Sequence, residues 1–483
     1  MSSSSSLPSS SSSLYDFATW EPLLRLLRAD HAQALAAPGG EVAGLIGRQG
    51  WSVPVRMRYP KAGRAMLVSD NQEQHDAIER VRAALIEAGT GDVAFAVEIP
   101  ASGRAALHLF DHGPAVDPGI GNAHPGALTL VEGAVPEPWR RLPEPVPGAA
   151  PAPSVDLELL ERTLRERMPD ETGATEEEIA AAEARLGVAL PEEIKVLYRV
   201  TAARWWEHTE NDENDEDVED AEACWEASDR VGDALGFELS SLNGLVIADR
   251  SRSSFRWEHA ATEACVTSPD AAVQDLVGSP GWIVIGDTGG GDLVVVDLTP
   301  GPGGHLGQLI VLDHEQSVGA CLFAESLTDL VRDPDRSWYS GPSPDLTSVV
   351  ARLHGEVPNS VEAAAHPDLE VLTLGGWRGE PVSLTPVIGL PRLRTLYAGP
   401  GALADPREVT RLTGLEFLEL TPEDWRCLLD AGAVPRGLSA AAIEAPSDHD
   451  LRPIMALANE LLTLWERPLI TETVIEGDLG PLP

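Results

Sequence analysis

The sequence predicts a multidomain α+β protein whose centre sets helices against an antiparallel meander sheet. Three observations carry this reading. Residues 282–314, WIVIGDTGGGDLVVVDLTPGPGGHLGQLIVLDH, hold three short apolar runs separated by Gly, Pro and Asp. Runs of that length, rich in Val and Ile, read as strands. Upstream, residues 173–201 hold two helical patterns with start and stop signals. Downstream, Leu369, Leu393 and Leu415 recur at intervals of 24 and 22 residues.

A chain of 483 residues is long enough for about two to four domains, and 43% hydrophobic residues can fill their cores. The expected divisions are a serine-rich tail over 1–13, a small α+β domain over 14–135 and a proline-rich linker over 136–153. A central domain over 154–340, with an acidic insertion at 207–222, and a C-terminal segment over 345–483 follow. The tail lacks the basic and apolar parts of a signal peptide and reads as disordered. No apolar run of about 18 residues exists, so no membrane helix is expected.

The formal charge is -42. It is uneven: 12 Lys and Arg face 16 Asp and Glu in residues 1–150, 13 face 40 in 151–340, and 10 face 21 in 341–483. Direct nucleic-acid binding is disfavoured, because phosphate contacts need clustered cations. A basic protein partner fits, since complementary charge speeds encounter; solubility would explain the same charge. Cys224, Cys265, Cys321 and Cys427 form no CxxC pair, so neither a zinc ribbon nor a disulfide framework is indicated. They read as reduced, buried thiols of a cytoplasmic protein.

In chain order, Thr19–Leu35 has helical spacing through Leu23, Leu26, Leu27 and Leu35. Trp51–Tyr59 alternates Val53, Val55, Met57 and Tyr59, a half-buried strand, with Met66–Val68 as its hairpin partner. Asp70 would cap a helix ended by Gly89, with Ile78, Val81, Leu85 and Ile86 as its stripe. Asp92–Ile99 and Arg104–Phe110 read as strands. His108 and His112 lie on a strand and its exit, where a spacing of four does not converge on a metal, so no metal is expected.

Val155–Arg167 reads as a helix. Thr175 and Glu178 form a capping box, Ile179, Ala182 and Leu186 follow at helical spacing, and Gly187 closes the helix. Pro191 opens the next, whose stripe is Ile194, Leu197 and Tyr198. Then come the strands Trp282–Gly286, Leu293–Leu298 and Leu309–Leu312. The second has no polar face, so it is expected at the sheet centre. A strand followed by Gly-Asp-Thr-Gly-Gly-Gly could cradle a phosphate if a helix came next. A strand comes next, which favours a tight hairpin turn.

These motifs resemble the SMI1/KNR4 family of the SUKH superfamily, over about residues 155–335. The matching positions are Thr175, Glu178, Ile179, Glu183, Leu186, Leu190, Pro191 and Tyr198, then Trp282, Ile285, Gly286, Gly290, Asp292, Asp297, Gly307 and Gln308. Ser326–Arg332 fits the closing helix such domains carry. The resemblance implies a protein-binding α+β domain with no catalytic residues and no cofactor. Bacterial relatives are often immunity proteins that neutralise toxins, many of them nucleases; fungal relatives help regulate cell-wall synthesis. The expected partner is therefore a basic toxin domain, with a regulatory scaffold as the alternative.

One departure from the family pattern is Trp205–Glu222, with ten Asp or Glu and no Lys or Arg. Such a run can be a solvated loop, a contact for a basic partner or a calcium loop, though EF-hand spacing is absent. Trp205 and Trp206 could anchor an interface, as aromatic residues often do. With them, Glu213, Asp215, Glu216, Asp217, Asp292 and Asp297 are the candidate partner-binding residues. A metal-dependent hydrolase using Asp287, Asp292, Asp297, Asp313, His314 and Glu315 is the competing class. It would need those groups to converge with perturbed pKa values, and no GxSxG, HExxH or Walker pattern is present.

In the C-terminal segment, Pro367–Leu374, Pro391–Tyr397 and Thr413–Leu420 align as weak repeats. Their spacing suits a leucine-rich-repeat-like stack, with Thr385–Leu390 and Asp405–Leu412 as short convex helices. An ordinary α/β segment with leucine core positions is the alternative. Thr421 caps a further helix, and Ile454–Trp465 is amphipathic.

Overall fold

The computed structural model describes residues 13–37, 39–48, 50–57, 71–117, 124–204, 218–333, 348–354, 360–445 and 451–481, with backbone alone over 218–224. The chain forms two compact units. One holds residues 135–255 and 259–350; the other holds 1–134, 256–258 and 351–483.

The unit holding the meander starts from capped helices. Asp156 accepts from the Leu159 amide at 3.0 Å and opens Leu157–Arg167. Thr175 and Glu178 close the reciprocal capping box that opens Glu176–Leu186, and Gly187 ends it in the left-handed region. Pro191 precedes Glu192–Val200, whose Ile194, Leu197 and Tyr198 are fully buried. These faces pack with Val231, Leu235 and Phe237 on one side of the sheet. The sheet order is Cys321–Ala324, Gln308–Leu312, Leu293–Asp297, Trp282–Asp287, Glu238–Leu239, with Val246–Ile247 also paired to Trp282–Asp287. The three predicted strands form an antiparallel meander with Leu293–Asp297 in the middle, and Val294, Val295 and Val296 are fully buried. Ile283, Ile285, Val294 and Val296 face the helices; Trp282, Val284, Val295 and Ile310 face a smaller second core. The proline-rich stretch is not bare linker: it contains the short helix Glu137–Arg140, and Trp139 is buried with its indole donating to the Ser253 carbonyl at 3.1 Å.

The other unit interleaves the first and last segments of the chain, which the sequence reading had kept apart. Its five-stranded sheet runs Thr471–Asp478, Arg104–Asp111, Asp92–Glu98, Val42–Gly47, Trp51–Ser52. The last strand of the chain thus pairs antiparallel with Arg104–Asp111. Helices Phe17–Asp30 and Gln72–Glu87 pack with this sheet through Trp20, Leu24, Leu27, Ile78, Val81 and Leu85. Ile86, expected in the stripe, is 54% exposed. Tyr59, Met66–Val68 and Asp70 lie outside the described residues, and Asn71 occupies the cap position. The second sheet runs Val350–His354, Val371–Gly375, Thr395–Ala398, Phe417–Leu420, Ala440–Ile443, Ala127–Thr129. Four of these strands are parallel and in register, with Val371, Thr395, Phe417 and Ala440 aligned across them. The fourth, Ala440–Ile443, carries no leucine and was not legible in the repeat. Short helical turns at Thr385–Val387 and Pro406–Arg411 connect the strands. Helix Leu451–Leu464 buries Ile454, Leu457, Ala458 and Leu461 in the same core.

Candidate functional site

The glycine loop after Trp282–Asp287 and the carboxylates around it form the candidate site. Asp287 accepts from the Gly289 amide at 2.6 Å, and the Thr288 amide donates to the Asp292 carbonyl at 2.9 Å. Gly289 and Gly291 take φ values of +81° and +97°, which suit glycine. Gly290 sits between them, where an added Cβ would meet Thr288 Oγ1 at an ordinary 3.7 Å. The next element is the strand Leu293–Asp297, not a helix, so the positive helix end that a phosphate cradle needs is missing here. The loop is a hairpin turn.

Asp292 sits at the end of this turn and is only 8% exposed. It accepts from the His314 amide at 3.0 Å and from His314 Nδ1 at 2.7 Å. These bonds hold its carboxyl below the usual range, the amide bond most strongly. The same pairing raises the exposed His314 imidazole. Asp313 accepts from the Glu315 amide at 2.8 Å and from Gln316 at 3.1 Å. Asp292, Asp313 and His314 place ligand atoms within 4.8 Å of one another. Three donors are few for a hard cation, which takes about six to eight oxygens; the Asp313 carboxylate already closes a turn and that of Asp292 is paired with His314.

Asp297, expected at a binding surface, is fully buried. Its Oδ1 accepts from Trp282 Nε1 at 3.0 Å and the Thr299 amide at 2.7 Å, and its Oδ2 from Gln308 Nε2 at 2.9 Å. Trp282 and Gln308 lie opposite it on the two flanking strands. Burial pushes its ionisation up, and the hydrogen bonds pull it back. Asp297 is therefore a clasp across three strands, beyond reach of a partner or substrate. Asp292 is likewise largely withdrawn; the group it presents outward is His314, 55% exposed at the side chain. Trp205, Trp206, Glu213, Asp215, Glu216 and Asp217 lie outside the described residues.

The remaining motif residues hold the scaffold. Glu183 accepts from the Leu190 amide at 2.8 Å and pairs with Lys195 at 3.1 Å, joining two helices. Leu186 is half-buried against the core. Tyr198 is fully buried and donates to the Ser240 carbonyl at 2.8 Å; burial raises its phenol far above the ordinary range. At Gly286 an added Cβ would stand 2.2 Å from the Glu238 carbonyl oxygen and 2.6 Å from the Phe237 ring, so only glycine lets these strands close. Gly307, at φ +82°, packs against Pro191. Sequence reasoning missed Glu193, buried at 5% exposure, which accepts from the Thr328 amide at 2.8 Å and hydroxyl at 2.6 Å. A glutamate in a first helical turn gives no local sign that it faces inward to cap another helix. The thiols are less uniformly buried than expected: Cys265 is buried, while Cys321 and Cys427 are half-buried.

These features define a class: an α+β domain of capped helices packed on an antiparallel meander, with its central aspartate spent on holding the sheet. Residues 173–333 match the model of the SMI1 / KNR4 family (SUKH-1). The middle of this chain is a domain of that family, which includes immunity proteins. A comparison with curated proteins finds no match. Among the described residues, no helix is long and apolar enough to cross a membrane.

Proposed function

We propose that this chain is a cytoplasmic immunity protein that neutralises a basic toxin domain, a nuclease among the candidates, by binding it without chemistry. The observation that carries this reading is the match of residues 173–333 to the SMI1/KNR4 family. The charge supports it. Residues 151–340 are strongly anionic, which would steer a basic partner into encounter. The acidic insertion 207–222, with Trp205 and Trp206 beside it, is the proposed contact. The bonding of Asp297 weighs against the hydrolase reading, because a carboxylate filled by four structural hydrogen bonds is a poor acid, base or ligand. The C-terminal parallel strands are proposed to be a leucine-rich-repeat-like stack that adds a second recognition surface.

Co-expression tests this directly. A toxin domain encoded beside the gene should kill cells alone and spare them when this chain is present, and the two should co-purify. Killing that continues in the presence of soluble chain, with no complex recovered, would remove the immunity reading.

A further inference from the structure

The unit containing the parallel strands carries a charge arrangement that toxin binding by the SMI1/KNR4 domain does not use. The strands are in register, so Thr373, Tyr397, Glu419 and Ala442 form one row. Side chains alternate along a strand. The neighbours Leu372, Leu396, Leu418 and Ala441 enter the leucine core, so this row stands on the opposite face. Glu444, two residues beyond Ala442, stands on that face too. Tyr397 donates its hydroxyl to Glu444 Oε1 at 2.6 Å. The other oxygen, Glu444 Oε2, is buried and accepts no hydrogen bond from any described residue.

Glu419 makes no hydrogen bond or ion pair among the described residues. Burial first, and then the negative charges of Glu258 and Glu444, push its carboxyl up to about 8. On the same strand face Phe417 is stacked with Trp257, with ring centroids 6.3 Å apart and planes at 13°, so the surface beside Glu419 is aromatic. At the far end of the row Thr373 Oγ1 is also buried without a hydrogen-bond partner. Glu370 near the start of these strands shows the usual solution: it holds Arg394 at 3.1 Å and also pairs with Arg392.

Carboxyls withdrawn from water without a cation are costly unless protonated or paired. Two such groups beside a half-buried tyrosine ring suit a guanidinium better than an ammonium. Its planar donors can serve both carboxylates while its face lies on the ring. We propose that this face of the parallel sheet is a receptor for an arginine side chain of a protein partner, held between Glu419 and Glu444 against Tyr397. The inference goes beyond the toxin reading and stands without it.

The test uses the full chain and a neutral-flanked peptide with one central arginine, against the same peptide carrying citrulline, at physiological salt. The arginine peptide should bind more tightly by about tenfold or more, as expected for a charge-assisted bidentate contact. Glu419→Gln should lose that margin, while Asp430→Asn, which removes the same charge from an exposed position, should keep it. Equal binding of the two peptides, or equal losses in the two variants, would overturn the proposal. Glu419→Gln removes a half-buried carboxyl and should fold; if it does not, Glu444→Gln is judged by the same criterion.

Discussion

Two sheet carboxylates, one in each unit, look alike in sequence and behave differently in the fold. Asp297 is fully buried and meets donors from Trp282, Thr299 and Gln308. Glu419 also lies on the middle of a sheet, but the groups acting on it are two other carboxylates. The first is structure, because its partners are internal and complete. The second is an open valence, because burial and two negative neighbours disfavour its charge and no cation among the described residues pairs with it. Burial alone does not separate the two roles; the count of partners does.

The largest effect should come from cutting the clasp. Asp297→Ala leaves the Trp282 indole, the Gln308 amide and the Thr299 backbone N–H without their acceptor in a buried place. Each orphaned group costs roughly 1–3 kcal/mol, so the meander unit should lose more than about 3 kcal/mol. Chemical denaturation followed by hydrogen exchange of the Leu293–Asp297 amides checks this, and a loss below about 1 kcal/mol would mean that the bonds matter little.

The opposite sign is expected at Glu419. A carboxyl whose folded pKa is about 8, against an ordinary value near 4.5, holds its proton longer folded than unfolded. Its contribution is therefore lost as pH rises from about 4.5 to about 8, and stays lost above. Glu258, Glu444 and Tyr397 surround it and share this field. Glu419→Gln should be more stable than the parent above pH 8 by on the order of 2–4 kcal/mol, and indistinguishable near pH 4. Parallel stability curves across that range would show that Glu419 is already compensated.

A smaller effect calibrates both. Thr175→Ala removes the capping box of Glu176–Leu186 and should cost about 1 kcal/mol, confined to the meander unit. A loss in the other unit's transition would show that the two units do not unfold separately.

Much of the fold was legible because its signals are local. Thr175, Glu178 and Pro191 announce helix starts within four residues of the helices they open, and the glycine-punctuated runs of 282–312 leave no period but strand. The leucine spacing located three parallel strands. The rest depends on distant neighbours. His108 and Glu472 meet although 364 residues apart, and nothing in Thr471–Asp478 names Arg104–Asp111 as its partner. Asp297 was misplaced at a surface because a strand-end aspartate usually serves a turn; only the flanking Trp282 and Gln308 reveal it as interior. Ile86 continues a helical period but sits one step past the packed face. Asp292 was expected to face a partner, and its pairing with His314 turns it inward.

The proposed binding by the middle unit would be stoichiometric, and a titration decides it. On the proposed function, increasing amounts of the full chain added to a toxin domain encoded beside the gene should lower toxin activity linearly, reaching zero near one equivalent. Inactivation by a small fraction of an equivalent would mean turnover, and no inhibition at several equivalents would mean that the chain does not recognise the toxin at all.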